Sequence, residues 1–135
     1  MRYLVDTNTL SNEIIKNSVR RRDLFVIREV TDEYASTSDE VSKIQSSGIS
    51  ILDLEKRHYE SMAQVLAKHG DNLELIRLYT NKGSSDIAML AYILGDKNME
   101  QKSLFPEEYQ IVTKDKELIK VAKSYGITCV DRIPQ

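Results

Sequence analysis

Residues 1–10, MRYLVDTNTL, place a carboxylate directly after a short apolar run. Tyr3, Leu4 and Val5 favour a buried β-strand, because β-branched and aromatic residues are typical of such strands. Asp6 ends the run, and three small polar residues follow it. A buried carboxylate needs a partner. Asp6 is therefore either the cap of a following helix or part of a ligand site.

Four further segments have the same apolar, β-branched character and predict strands: LFVI (24–27), ISILDL (49–54), YQIVT (109–113) and ITCVD (127–131). The residues between them show helical spacing instead. Strands that alternate with helices favour a parallel sheet covered on both faces. The chain is therefore predicted to be a single α/β domain over residues 1–135, with a central, mainly parallel five-stranded sheet flanked by helices.

Helices are predicted for residues 8–16, 29–45, 54–69, 86–94 and 116–126. In the third of these, Tyr59, Met62, Ala63 and Leu66 are expected to share one face. Ser84 and Ser85 are expected to cap the fourth helix, and Gly126 is suited to end the last. Residues 95–108 include Pro106, which disfavours a continuous helix, and are predicted to form a surface loop with a helical turn.

Composition excludes several classes of protein. The net charge is −2, so bulk electrostatics give no argument for nucleic-acid binding. Cys129 is the only cysteine and lies in an apolar run, which favours a structural thiol over a nucleophile. No apolar run reaches membrane-spanning length, so a cytoplasmic protein without a membrane anchor is expected. His58 and His69 are expected to be partly exposed, and their separation of about 16 Å along a helix is too large to share an ion.

Acidic residues lie at or just after the carboxyl ends of the predicted strands. Asp6 lies at the carboxyl end of the first strand and Asp115 just past the end of the fourth. Ligands bind at the carboxyl ends of parallel strands, near the point where strand order reverses. Asp86 in the first turn of its helix and Glu33 after the second strand are expected to rim the same crevice. Each acid also has a simpler explanation, as a helix cap, a partner of a helix dipole or a solvated residue.

The order of four motifs resembles that of the PIN-domain ribonucleases: VDTNTL, VTDEYA, SSDIAMLAYIL and IVTKDKELIKVAKSYGI. The chain is also similar in size to the VapC-type toxins of toxin-antitoxin pairs. The resemblance implies a catalytic role for Asp6, Glu33, Asp86 and Asp115. Glu29, one helical turn before Glu33, is the alternative for the second motif. The same resemblance implies supporting roles for Asn8 and Thr113. Glu117 is a further supporting candidate: it lies two residues after Asp115, where several relatives have an aspartate, and is either a fifth acid of the site or a first-turn helix residue.

The implied activity is metal-dependent endoribonuclease hydrolysis, with Asp6, Asp86 and Asp115 as the metal ligands. Two carboxylates about 5 Å apart repel by roughly 3 kcal/mol at an effective dielectric of 20, so such a cluster favours a bound cation. Oxygen ligands select Mg²⁺ or Mn²⁺. The resemblance further implies an RNA substrate, a small antitoxin protein as partner and a homodimer.

Five basic residues are candidates for phosphate contacts: Arg20, Arg21, Arg22, Lys114 and Lys116. Three other functions remain open. The first is an RNA-processing nuclease of the same fold without an antitoxin, and the second a non-catalytic binding module. The third is an aspartate-based phosphatase or phosphotransfer domain, for which Asp53 is a candidate, although Asn8 occupies the position where such phosphatases have a second aspartate.

Overall fold

The computed structural model describes residues 1–68, 84–100 and 108–134. Within them the strands are β1 (Arg2–Val5), β2 (Leu24–Ile27), β3 (Ser50–Leu52), β4 (Tyr109–Val112) and β5 (Cys129–Val130). The helices are α1 (Asn12–Asn17), α2 (Arg28–Tyr34), α3 (Ser38–Gln45), α4 (Lys56–Lys68), α5 (Ser84–Glu100) and α6 (Lys116–Ser124). None of these helices is long and apolar enough to cross a membrane.

All five strands form one sheet in the order β3-β2-β1-β4-β5, and every neighbouring pair is parallel. The prediction of an α/β fold with a five-stranded parallel sheet is confirmed. The chain builds the sheet outward from β1 through β2 to β3 and then returns to place β4 on the other side of β1. The strand order therefore reverses between β1 and β4, which is where ligands bind in sheets of this kind.

Both faces of the sheet are covered, as predicted. Successive residues of a strand point to opposite faces. Leu4 and Val5 are adjacent in β1 and both are fully buried, as are Ile111 and Val112 in β4. Solvent is therefore excluded from both sides of the two central strands.

The most buried helix is α5. Residues 87–93 are all buried, so this segment is enclosed all round rather than on one stripe. It packs mainly against α4 and also contacts α2 and β2. Ser84 and Ser85 lie inside its first turn rather than before it, so the prediction that they precede the helix is wrong.

Two helix boundaries differ from the sequence prediction. Residues 29–45 form two helices with a break at residues 35–37, because Thr37 begins α3 by accepting a hydrogen bond from the Glu40 N–H (3.2 Å). A threonine followed three residues later by glutamate is the pattern of a capping box. In addition, α5 continues to Glu100, so residues 95–100 extend this helix, whereas the prediction placed them in a loop with a helical turn. Residues 101–107 of the predicted loop lie outside the described part of the chain.

The buried face of α4 also differs from the prediction. The side chains of His58, Ser61 and Val65 are buried, whereas those of Tyr59 and Ala63 are exposed. His58 has no exposed surface, so the expectation of a partly exposed histidine is wrong. His69 lies outside the described residues.

A hydrogen-bonded group explains why a histidine is buried there. His58 Nε2 lies 2.7 Å from Asp96 Oδ1, and Nδ1 accepts the Glu55 N–H at 2.8 Å. The ring stacks on Tyr92, with centroids 4.1 Å apart. Arg57 binds the same Asp96 oxygen through Nε and Nη2. We call Arg57, His58 and Asp96 the His58 network; it joins α4 to α5.

Candidate functional site

The register of the central strands brings Asp6 next to Thr113. Val5 of β1 pairs with Val112 of β4, so the residues that follow these two strands lie side by side at the carboxyl edge of the sheet. The Thr113 hydroxyl donates to Asp6 Oδ2 at 2.5 Å, and the Thr9 N–H donates to Oδ1 at 2.8 Å. Asp6 is only 2% exposed. It caps the turn at residues 7–9 and not α1, whose cap is Ser11.

Thr113 also connects Asp6 to Asp115. Its Oγ1 accepts the Asp115 N–H at 3.0 Å while it donates to Asp6. Asp115 in turn begins α6, since its Oδ1 accepts the N–H groups of Glu117 (2.9 Å) and Leu118 (3.3 Å). The two acids predicted to meet across the β1/β4 boundary are therefore joined through one threonine. We call Asp6, Thr113 and Asp115 the sheet-edge site.

The second-motif acids lie on α2, beside the end of β1. Glu33 is exposed and accepts a hydrogen bond from Thr7, the residue after Asp6, at 2.9 Å. Glu29 has a buried Oε2 without a hydrogen-bond partner among the described residues. The Thr7 contact ties Glu33 to the segment that contains Asp6. Glu29 stays an alternative ligand because its oxygen lacks a donor.

The direction of α5 places its first turn, with Asp86, toward the carboxyl edge. The other end of α5 is near the amino edge: Tyr92 packs its ring on Tyr109 at 5.8 Å, and Lys97 lines a small cavity with Glu108. Asp86 precedes Tyr92 by six residues, or about 9 Å of helix, in the direction of the carboxyl edge. It is 8% exposed and belongs to the first turn of α5.

A cavity of about 790 Å³ opens beside the sheet-edge site. It is formed by the segments that follow β1, β4 and β5, with one turn of α1, and its lining residues are 8–9, 13–14, 114–117 and 131–133. Asp115 lines it, together with the predicted supporting residues Asn8 and Glu117. Asp6 is buried behind this lining and does not contribute to it.

The donor set fits a hard cation in its chemistry. Asp6, Asp86, Asp115 and Glu33 offer carboxylate oxygens, the ligands that Mg²⁺ and Mn²⁺ prefer. Glu117 Oε2 is buried next to Asp115 and has no hydrogen-bond partner among the described residues, as expected of an oxygen that awaits a cation. Across residues 1–68, 84–100 and 108–134, however, no three acidic, histidine or cysteine side chains lie close enough together to hold one ion. The acids are thus brought to one edge without being closed into a three-ligand group.

The predicted phosphate contacts fall on two opposite edges. Lys114 and Lys116 flank Asp115, are exposed and line the cavity. Residues 20–22 precede β2 at the amino edge, and Arg21 is held there by both oxygens of Asp23 (2.9 and 2.8 Å). Since β1 and β2 are parallel, the arginine run is separated from the end of β1 by at least the length of the strand, about 10 Å. The structure does not bring it together with the acids.

Two residues bear on the alternatives to a nuclease. Burial and the neighbouring charge of Asp6 raise the pKa of Cys129 to about 11, so the thiolate is scarce at neutral pH, as expected of a structural thiol. Asp53, the candidate phosphate acceptor of a phosphotransfer domain, follows the edge strand β3 and binds Arg28 (2.5 Å). It is far from the strand-order reversal.

Three charged residues of the cavity lining were not singled out from the sequence, namely Glu13, Asp131 and Arg132. Asp131 and Arg132 directly follow β5, so the position after a parallel strand was the available signal. Glu13 lies in the first turn of α1, where an acid is also favoured by the helix dipole. This helix-dipole role is sufficient to explain Glu13, so its sequence position did not predict that it lines the cavity.

No family model matches the chain, and no curated protein matches it at a significant level. Its function is therefore inferred from the geometry of the sheet edge together with the sequence motifs.

Proposed function

We propose that this protein is a metal-dependent endoribonuclease that hydrolyses RNA phosphodiester bonds at the sheet-edge site. The observation that supports this most directly is the hydrogen-bonded series Asp6–Thr113–Asp115 at the point of strand-order reversal. A carboxylate that is 2% exposed has a hydroxyl and a backbone N–H as partners, and among the described residues it has no ion pair. A bound cation is the natural counter-charge.

Asp6, Asp86 and Asp115 would hold Mg²⁺ or Mn²⁺, with help from Glu33 at the rim. The ion would supply a low-pKa water and neutralise charge on the phosphate. Thr113 keeps the Asp6 carboxylate in one orientation and at the same time fixes the backbone of Asp115. Glu117, with its unpartnered oxygen beside Asp115, is a further candidate ligand or base.

The basic residues around Asp115 support a polyanionic substrate. Lys114 and Lys116 lie at the N-terminus of α6, where the helix dipole disfavours a cation by about 0.3–1 kcal/mol. Both side chains are exposed and line the cavity. A binding role for phosphate offsets this unfavourable placement.

The resemblance to VapC-type toxins suggests a more specific role for the same activity. In this proposal the protein is a homodimeric toxin, and a small antitoxin blocks the cavity. Expression of the wild type in a bacterial host should then arrest growth, whereas Asp115→Asn should not. A short reading frame beside the gene, whose product relieves the arrest, would support the toxin; its absence would favour an RNA-processing nuclease.

Cleavage of a mixed RNA pool tests the activity itself. The wild type should cleave in Mg²⁺ or Mn²⁺ and lose activity in chelator, and Asp115→Asn should be at least 100-fold slower because it removes a charge from the metal site. Asp53→Asn is the matched control, since Asp53 also follows a parallel strand at the carboxyl edge. It should cleave within about twofold of the wild type.

Two results would overturn the proposal of a nuclease. One is cleavage that resists the chelator and is equal in the wild type and Asp115→Asn, which indicates a contaminant. The other is the absence of cleavage combined with a loss of phosphate acceptance in Asp53→Asn, which favours the phosphotransfer class.

A further inference from the structure

The chain that follows β5 forms one wall of the cavity. Residues 131–133 line it on the side away from β1. The segment is attached at both ends: the Thr113 N–H donates to the Val130 carbonyl at 2.9 Å, and Ile133 packs partly buried against the core. Arg132 lies between these attachments, so its backbone is held at the cavity.

The Arg132 side chain is available for a ligand. It is 85% exposed, and its ion-pair partner is the adjacent Asp131, with Nε and Oδ1 3.7 Å apart. Exposed pairs of this kind contribute little to stability. A guanidinium can exchange such a partner for a phosphate, which it binds through two parallel hydrogen bonds.

Arg132 also lies beside Asp115, at the same edge of the sheet. β5 is the hydrogen-bonded neighbour of β4, and strands in a sheet are about 5 Å apart. The segment after β5 is therefore next to the segment that contains Asp115, and both line the same cavity. In the other direction, toward β2, residue Arg28 binds Asp53 and the run 20–22 lies at the opposite edge.

We propose that Arg132 binds a phosphate of the RNA adjacent to the one that is cleaved, so that the strand passes from the sheet-edge site over β4 and β5. This inference rests on the proposed ribonuclease function and assigns its substrate path. Arg132 positions the RNA by this contact and takes no part in the bond-breaking step. The arginine run at residues 20–22 has no role in this path.

Binding of a fluorescein-labelled single-stranded RNA in chelator tests the contact without cleavage. Arg132→Gln should weaken binding about tenfold, and the slope of log K against log salt should fall by roughly 0.7, as for one phosphate contact on a single strand. Arg132→Lys should recover part of the affinity. Arg20→Gln, an exposed arginine at the amino edge, is the matched control and should bind within twofold of the wild type.

Steady-state cleavage gives the second readout. Arg132→Gln should raise KM by a similar factor and leave kcat within about twofold. An unchanged melting temperature would show that the variant folds, as expected for so exposed a side chain. Equal RNA binding by Arg132→Gln and Arg20→Gln, or a fall in kcat at constant KM, would overturn the proposal.

Failure of this inference is distinguishable from failure of the nuclease. Metal-dependent cleavage with an Arg132→Gln variant that binds RNA normally would refute the path alone. Arg132-dependent RNA binding without cleavage in any metal would refute the nuclease and keep the contact. A wild type that does not bind RNA would overturn both.

Discussion

In the described part of the fold, the His58 network and the sheet-edge site neutralise their carboxylates differently. In the His58 network, Asp96 Oδ1 accepts from His58 at 2.7 Å and from a guanidinium at 2.9 and 3.0 Å. In the sheet-edge site, Asp6 is more deeply buried but accepts from a hydroxyl and a backbone N–H. The first carboxylate has its counter-ion within the chain, whereas the second has neutral donors.

The contrast separates a structural from a functional use of acidic residues. A carboxylate paired with arginine and histidine is satisfied, so the His58 network stabilises the contact between α4 and α5. A carboxylate with dipoles alone, beside an open cavity, keeps the capacity to bind a cation. We therefore expect substitutions in the His58 network to change stability, and substitutions in the sheet-edge site to change the response to metal.

The largest expected effect on stability is that of His58→Ala. It removes a fully buried ring stacked on Tyr92 and leaves Asp96 without one of its donors, so the free energy of unfolding should fall by about 3 kcal/mol. Urea unfolding in chelator measures this. Asp6→Asn is the comparison and should change the same quantity by less than about 1 kcal/mol, because an amide keeps an acceptor for the Thr9 N–H. Equal losses would break the distinction between the two groups.

Gly95→Ala tests how closely α4 and α5 approach. In an exposed helix this substitution stabilises by about 1 kcal/mol. Here a Cβ would lie 2.8 Å from His58 Cδ2 and 3.1 Å from the Arg57 carbonyl oxygen, so the helices must separate. We expect a loss of about 2 kcal/mol in urea unfolding. A gain in stability would show that the His58 network is less tightly packed than its geometry indicates.

Metal ions should act on the other group. At a concentration ten times the dissociation constant, Mg²⁺ or Mn²⁺ should stabilise the wild type by about 1.4 kcal/mol, visible as a rise in melting temperature that chelator reverses. Asp6→Asn should lose this rise. Asp96→Asn should be less stable but should keep it, because Asp96 belongs to the His58 network. A rise that persists in Asp6→Asn would indicate that the ion binds elsewhere, and loss of the rise in Asp96→Asn would break the separation between the two groups.

Much of the fold was predictable because local signals and topology agree. The strands are short β-branched runs, and the parallel order follows from their alternation with helices. The placement of Asp6 and Asp115 at one edge of the sheet followed from two strand ends at a strand-order reversal. The role of Thr113 as the connection between them required the register, which pairs Val5 with Val112.

The errors come from interactions that the local pattern does not contain. His58 is buried because it binds Asp96, a residue 38 positions away in the sequence. Histidine is on average only partly buried, so the residue type alone did not predict full burial. Its spacing of three and seven residues from Ser61 and Val65 was the available signal. The break before α3 was also present, in the capping-box pattern at Thr37 and Glu40. The arginine run was predicted to contact phosphate because of its charge, although its place before β2 assigns it to the amino edge.

The smallest expected effect is a change in acid sensitivity, and it sharpens the comparison within the His58 network. Burial acts to raise the pKa of Asp96, but the hydrogen bonds from His58 and Arg57, together with the guanidinium charge, outweigh it and lower that pKa. The unfolded chain then takes up this proton more readily than the folded one. The contribution to stability is present above the ordinary aspartate pKa, near 4, and is lost as the pH falls through the lower folded value. Urea unfolding between pH 6 and pH 2.5 should therefore show a shallower decline for Asp96→Asn than for the wild type. Asp53→Asn removes an exposed aspartate whose pKa Arg28 lowers, and it should leave the decline nearly unchanged because solvent screens that pair. Parallel curves for Asp96→Asn and the wild type would mean that the His58 network does not depend on the charge of its carboxylate, and the contrast with Asp6 would then reduce to packing alone.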